Sequence, residues 1–269
     1  FYMGIFIKDC MIGGDHEVFL RNKNTKEIIT AEGIAKGTKE EPYNFDETDP
    51  FAKTSLDCVL YEYNIAPAKT KFEYYQGIEK ALNYIQSSIP QDLEIAIISA
   101  ARLDEKYLQS ETAQRFGCST DYNCWTNRSN QMPIPDGNLR SAGGHITLGY
   151  EEPNEFVNLM WVKSMDLFLS VPSILQEPDS ERKTLYGKAG AYRHTPFGCE
   201  YRSLSNYFIN DKVLIDWVYD NTIEAVKFVN NGSTYLLDEE ADVIISAIND
   251  NDKEKAKYLV DKFQIKMAI

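Results

Sequence analysis

Histidine is scarce in this chain, with three residues in 269, and cysteine supplies only five. Cys10, Cys58, Cys118, Cys124 and Cys199 are odd in number and show no paired spacing of the zinc-binding kind. Reduced thiols are therefore expected, and a packing role for Cys199 is favoured over a nucleophilic one. Basic residues are outnumbered: 28 Lys and Arg face 41 Asp and Glu, a formal net charge of −13 and a pI of about 4.8. That balance argues against binding to nucleic acid or to an anionic membrane. No apolar run is long enough to cross a bilayer, and Phe1–Ile7 lacks a secretory cleavage pattern. There is no GxGxxG or Walker-type loop after a strand pattern, no internal repeat and no low-complexity tract. A dinucleotide fold and a P-loop enzyme are thereby disfavoured.

What the chain does have is core-forming material, 43% hydrophobic and 12% aromatic. Strand patterns cover Gly14–Leu20, Glu27–Thr30, Val59–Ile65, Leu93–Ala100, His145–Leu148 and Glu200–Leu204. Helical patterns cover Lys71–Ser88, Glu105–Arg115, Glu155–Leu169, Asp211–Asn230, Glu239–Asn249 and Lys253–Phe263. Strands and helices mix without a regular βαβ rhythm. The expected class is α+β with a mainly antiparallel sheet. One catalytic domain over residues 1–269 is expected, with 207–269 as a C-terminal helical part.

Four strand patterns place polar side chains on one face. A strand alternates its side chains with period two. Asp15 and Glu17 therefore share a face, as do Glu62 and Asn64, His145 and Thr147, and Glu200 and Arg202. His16 points with Val18 and Leu20, towards a core. A lone glutamate at a strand end is most often merely exposed, and a lone histidine most often a hydrogen-bonded structural residue. Four strands of the same polarity are harder to explain that way. Carboxylates suit hard divalent cations, which bridge protein to nucleotide phosphates. Glu17, Glu62 and Glu200 are the candidate metal ligands, with His145 as a nitrogen ligand or phosphate contact.

Basic side chains concentrate locally. Arg182, Lys183, Lys188, Arg193, His194 and Arg202 lie close together, with Glu200 the only acid between Arg182 and Arg202. Such a segment suits a small anion, although a solvated loop would look similar. Arg193 and Arg202 could hold a transferring phosphoryl group, and Arg182 and Lys188 could bind nucleotide. Gly143-Gly144 before His145 permits close backbone approach to a ligand. Three irregular stretches, Gly37–Pro50, Cys118–Arg140 and Gln176–Gly190, are candidate substrate loops. Tyr122, Asn123, Trp125 and Arg128 are candidate substrate contacts there, with Asn64 and Thr147 on the sheet. The bland alternative is that the loop residues only order a long loop.

These segments resemble a known family. Gly13-Gly14-Asp15-His16-Glu17-Val18-Phe19-Leu20, Leu60-Tyr61-Glu62-Tyr63-Asn64-Ile65-Ala66-Pro67, Arg140–Gly149, Tyr186–Arg193 and Gly198–Ser205 are similar, in order, to the phage-encoded amidoligases called carboxylate–amine ligase type 2. That family is grouped with glutamine synthetase and glutamate–cysteine ligase. The resemblance runs from about Gly13 to Asn206. It implies a curved, mainly antiparallel sheet with helices on its outer face, as in the glutamine-synthetase-like catalytic domain. It implies ATP and Mg²⁺, or Mn²⁺, on the concave face, and a location in the host cytoplasm. The implied reaction joins a small-molecule or peptide carboxylate to an amine through an acyl phosphate. Glu17, Glu62 and Glu200 would be metal ligands, and His145 a metal or phosphate contact. Arg193 and Arg202 would stabilise the phosphoryl group. The chain departs from the family pattern at His16, where proline is common, and at Thr147, where a second histidine is common. A phosphotransferase of guanidino-kinase type and a non-catalytic nucleotide- or ligand-binding phage accessory protein are the competing readings.

Overall fold

Alternation of side chains over Met11–Asn22 builds the longest strand, β1, around which the sheet is assembled. Five further strands complete its body: β2 (Lys53–Asp57), β3 (Leu60–Ala68), β4 (Gly144–Gly149), β5 (Ala191–Thr195) and β6 (Gly198–Tyr201). In this computed structural model, which describes residues 6–114, 121–130, 137–179 and 181–268, they lie in the order β2-β3-β1-β4-β6-β5. Every neighbouring pair is antiparallel. Tyr43–Asn44 extends one edge, and the hairpin of Tyr122–Asn123 and Arg128–Ser129 extends the other. The far half of β1 pairs instead with Ile28–Ile29 and Leu93–Ala96.

One face of the sheet is apolar and carries the helices. His16 and Val18 of β1, Tyr61, Tyr63 and Ile65 of β3, Ile146 and Leu148 of β4, and Cys199 and Tyr201 of β6 are all buried. α1 (Lys71–Ser88) starts at a capping box between Thr70 and Glu73 and buries Tyr74, Ile78, Ala81 and Ile85 against this face. α2 (Glu155–Met165) brings Trp161 to the same core. It runs through a π-type turn, Asp166–Ser170, into α3 (Val171–Gln176), where the Val171 amide donates to Asp166 O. Pro172 lacks an amide, so the regular ladder cannot pass through it; the register shift precedes it. α4 (Lys212–Asn230) packs into the main core, while α5 (Ala241–Asn249) and α6 (Lys253–Phe263) form a second cluster with Leu167, Val171 and Ile174. The helices from Lys212 onward are thus integrated with the rest through buried side chains.

Several expected elements differ. The expected helix Glu105–Arg115 is a single 3-10 turn, Glu105–Tyr107, and a one-turn helix, Glu111–Gln114; Arg115 lies outside the described residues. Asp104 caps the first and the Ser110 hydroxyl accepts from Ala113 N in the second, so the chain restarts instead of continuing. The expected strand Leu93–Ala100 ends at Ala96, and Ala100–Arg102 pairs separately with Leu139–Ser141. The strand expected over Glu200–Leu204 covers Gly198–Tyr201. Its hairpin partner β5 carries a polar, mixed pattern that gave no strand signal.

Candidate active site

The polar face lies opposite the helices. Cross-strand register places Glu62 opposite Glu17, and Asp15 between Asn64 and His145. It places Thr147 opposite Glu200 and Glu200 opposite Arg193. Directly paired residues point to the same side of a sheet, so one surface carries Asp15, Glu17, Glu62, Asn64, His145, Thr147, Arg193 and Glu200. Arg202, just past β6, is held in the same register by its amide, which donates to Ala191 O at 2.9 Å.

Two groups of side chains form on this surface. In the first, His145 Nδ1 lies 3.2 Å from Asp15 Oδ2, 3.5 Å from Glu200 Oε1 and 3.3 Å from Arg202 Nη1. Arg202 is 6% exposed; its Nη1 donates to Glu200 and its Nε lies 3.7 Å from Asp121 Oδ2. Arg193 reaches Glu200 Oε2 at 3.5 Å from the outer side and is half-buried. Ligand atoms of Asp15, His145 and Glu200 all lie within 4.8 Å of one another. Burial, and then the positive charge of Arg202, lowers the His145 pKa well below its ordinary value. A neutral imidazole is the form that ligates a cation.

The second group is Glu17, Glu62 and Asp57. The Gly143 amide donates to Glu17 Oε2 at 2.6 Å, and Ser55 Oγ donates to Glu62 Oε2 at 3.5 Å. Burial, followed by the charge of Asp57, pushes the Glu17 carboxyl up to about 8. Burial, followed by Asp15 and Asp57, raises Glu62 well above the usual range. Lys39 Nζ sits 2.8 Å from Asp57 Oδ2. Burial opposes its charge, but Asp57 and Glu62 outweigh that and raise its pKa. Glu17, Asp57, Asp121, His145 and Arg202 line a partly open cleft of about 570 Å³.

The donor set is oxygen-rich with one neutral imidazole. Buried carboxyls this close raise one another's pKa unless a cation intervenes. Asp57 Oδ1 is buried without a hydrogen-bond partner among the described residues. Among the described residues, Asp15, His145 and Glu200 bring their ligand atoms close enough to fit a hard divalent cation. Gly143 is shaped by the site: a Cβ there would collide with the His145 imidazole.

The remaining expected site residues are placed otherwise. Arg182 lines the cleft, but its Nε, Nη1 and Nη2 donate to the carbonyls of Ala142, Ser203 and Leu204 at 3.2, 2.9 and 3.2 Å. It ties the start of β4 to the segment carrying Arg202. Lys188 is not brought to the cleft; its Nζ donates to Asn249 O at 3.4 Å. Tyr122 pairs with Tyr192 on the helix-bearing side, and Arg128 is exposed on the hairpin. Asn123 donates to Ala189 O and accepts from the Trp125 and Thr126 amides. Trp125 Nε1 donates to Asp166 Oδ2 at 2.6 Å. Those four residues build the hairpin and anchor it. Cys199 is buried behind the sheet, and burial raises its thiol pKa well above the ordinary value. Cys118 lies outside the described residues.

Sequence reasoning passed over Lys39, Asp57 and Asp121, and left Asp15 with a minor role. Asp57 had a signal. Lys53–Asp57 precedes β3 as the other arm of a hairpin, and alternation sets Ser55 and Asp57 on the face of Glu62. Lys39 and Asp121 come from irregular segments and carry no local signal.

Comparison with known proteins agrees with part of this picture. Residues 131–250, less than half of the chain, match the family described as phage phiEco32-like COOH.NH2 ligase-type 2. The matched stretch holds His145, Arg193, Glu200 and Arg202; Glu17 and Glu62 precede it. No curated protein matches the chain. Among solved structures, a bifunctional glutathione synthetase from Pasteurella multocida is similar at 13% identity and a TM-score of 0.40. The alignment covers 95% of this chain and 49% of that one, so this chain spans about half the length of that protein. No helix among the described residues is long and apolar enough to cross a membrane.

Proposed function

We propose that this chain is an ATP- and Mg²⁺-dependent carboxylate–amine ligase that works through an acyl phosphate. One observation carries the reading: two carboxylate groups, Asp15–His145–Glu200 and Glu17–Glu62–Asp57, share one sheet face with the guanidinium groups of Arg193 and Arg202. The match of residues 131–250 to a COOH.NH2 ligase family supports the same class.

A substrate carboxylate oxygen attacks the γ-phosphorus of ATP, and the bond to the bridging oxygen of ADP breaks. An amine nitrogen then attacks the acyl carbon, the carbon–oxygen bond to phosphate breaks with its electron pair on phosphate, and the nitrogen gives up one proton to solvent. Arg202 and Arg193 sit beside Glu200 as permanent positive charges, suited to an equatorial phosphoryl oxygen. The neutral His145 imidazole can ligate or donate, but adds no charge of its own. Glu200, Asp15, Glu17 and Glu62 would hold Mg²⁺ or Mn²⁺, which supplies charge neutralisation on the phosphates. Arg182 keeps β4 and the Arg202 segment in fixed relation, so the donors are positioned before substrate arrives. Asn64 and Thr147 lie on the same face and would touch the carboxylate or amine.

Calorimetric titration of ATP with and without Mg²⁺ tests the nucleotide site. Binding that needs Mg²⁺ and weakens about tenfold in Glu17→Gln, roughly 1.4 kcal/mol, is the expected result. Glu200→Gln is expected to abolish ATP turnover in a folded protein. ADP with phosphate and a new amide identifies the ligase, whereas a stable phosphorylated acceptor identifies a phosphotransferase. Unchanged turnover in Glu200→Gln would remove Glu200 from the chemistry.

A further inference from the structure

The cleft occupies one end of the polar face, where Glu17, Gly143 and His145 line it. The other end of that face carries an aromatic ring. Along β4, His145, Thr147 and Gly149 alternate onto the polar side, and Gly149 lies about 13 Å beyond His145 at the usual rise per residue. Its neighbours in register are Met11 of β1 and Gly198 of β6. A Cβ on Gly149 would meet Phe197 Cδ2 at 3.6 Å. The Phe197 ring, from the turn between β5 and β6, therefore borders the polar side of the sheet. It is 55% exposed.

The backbone of this turn is anchored. The Phe197 carbonyl accepts from the Tyr150 amide at 3.1 Å. The Gly198 carbonyl accepts from Asn158 Nδ2 at 3.0 Å, and the Tyr150 hydroxyl donates to Asn158 Oδ1 at 2.9 Å. A single exposed phenylalanine is an ordinary surface feature; the place of this one sets it apart. Gly149 and Gly198 put no side chain between the ring and the row of Thr147, Glu200 and Arg193. Thr195 pairs with Gly198 and shares the face of Arg193. Its hydroxyl is buried without a hydrogen-bond partner among the described residues, a state that calls for a polar partner.

We propose that Phe197 is the platform for the nucleotide base. The base stacks on the exposed ring, the ribose crosses Gly198 and Thr195, and the phosphates run to Arg193 and Arg202. The cleft at the opposite end is thereby left to the carboxylate and the amine. The inference rests on the ATP-dependent reading above and adds to it which end of the face each substrate takes. Every base has a stacking face, so the ring supplies affinity more than choice of base.

Calorimetric titration of the full chain with ATP and with inorganic tripolyphosphate, each with Mg²⁺, tests this. Phe197→Ala is expected to weaken ATP binding about tenfold and to leave tripolyphosphate binding unchanged, since that ligand has no base. Phe197→Trp is expected to bind ATP like wild type, with its indole emission quenched by ATP more than that of wild type. The quenching decides the matter if tripolyphosphate binds too weakly to measure. Wild-type ATP affinity in Phe197→Ala, or no added quenching in Phe197→Trp, overturns the platform and leaves the ligase reading standing. Equal loss of ATP and tripolyphosphate affinity in Phe197→Ala also overturns it, because the phosphate contacts would then have moved. Failure of wild type to bind ATP overturns both.

Discussion

Asp166 offers a test of the structure that depends on no assumption about function. Its carboxylate is fully buried behind the sheet, in the π-type turn between α2 and α3. Tyr201 donates to Oδ1 at 2.6 Å and Trp125 Nε1 donates to Oδ2 at 2.6 Å. It thus links the strand that carries Glu200 to the hairpin beside it. Burial pushes its pKa up to about 6, against the opposing bonds from Tyr201 and Trp125. The rise from 3.8 is about two units, at about 1.4 kcal/mol per unit, hence roughly 3 kcal/mol. The folded chain binds this proton more tightly than the unfolded chain, so the associated stability is complete below about pH 4. It is lost as pH rises through about 6. Asp166→Asn removes the titration. It also turns an amide N–H towards the Trp125 or Tyr201 donor, a fixed cost at all pH values. Urea denaturation of both proteins between pH 4 and 7.5 separates the two effects. The stability of wild type relative to Asp166→Asn is expected to fall by up to roughly 3 kcal/mol across that range. A difference that stays flat, or that grows with pH, would refute the burial argument.

Three further outcomes follow from the packing. Gly143→Ala is expected to displace the His145 imidazole and weaken Mn²⁺ binding about tenfold or more, read by the free-ion electron paramagnetic resonance signal, with a melting temperature close to wild type. His16→Ala opens a cavity among Tyr63, Tyr74 and Phe208; a loss of roughly 2–4 kcal/mol in urea denaturation is expected, with ATP binding retained at low temperature. Arg182→Met takes the donor from Ala142 O and Ser203 O, while Leu204 O keeps the Gly144 amide, and should cost roughly 2 kcal/mol or more; a variant that melted like wild type yet lost ATP affinity would point to a direct nucleotide contact.

Much of the site was legible because a strand has a strict period. The polarity of Asp15-His16-Glu17, Leu60–Ile65 and Gly144–Gly149 assigned each residue a face, and the register agrees with that assignment. His16 falls among aromatic rings behind the sheet, as its alternation with Glu17 required. Helices with a strong apolar stripe were also legible: the expected Lys71–Ser88 and Lys253–Phe263 coincide with α1 and α6. Elements with few apolar residues were not. β5 has only Ala191 and Tyr192 as buried anchors, and it exists because β6 folds back on it. The Glu105–Arg115 segment lacked a stripe long enough to hold a helix through two capping residues.

The sequence by itself determined which side chains could share a surface, because alternation along one strand is a local property of the backbone. It could not determine which strands are neighbours. Antiparallel pairing of β1 with both β3 and β4 sets Glu17 against Glu62 and Asp15 against His145, residues far apart in the chain. Nor could it show that Lys39 meets Asp57 or that Asp121 reaches the cleft, since both come from irregular segments whose direction is set by tertiary anchors. The same holds for Arg182, whose charge suggested an anion and whose guanidinium instead meets three carbonyls. Charge is written in the sequence, but the partner of a charge is decided by burial and by chain segments brought together only in the folded state.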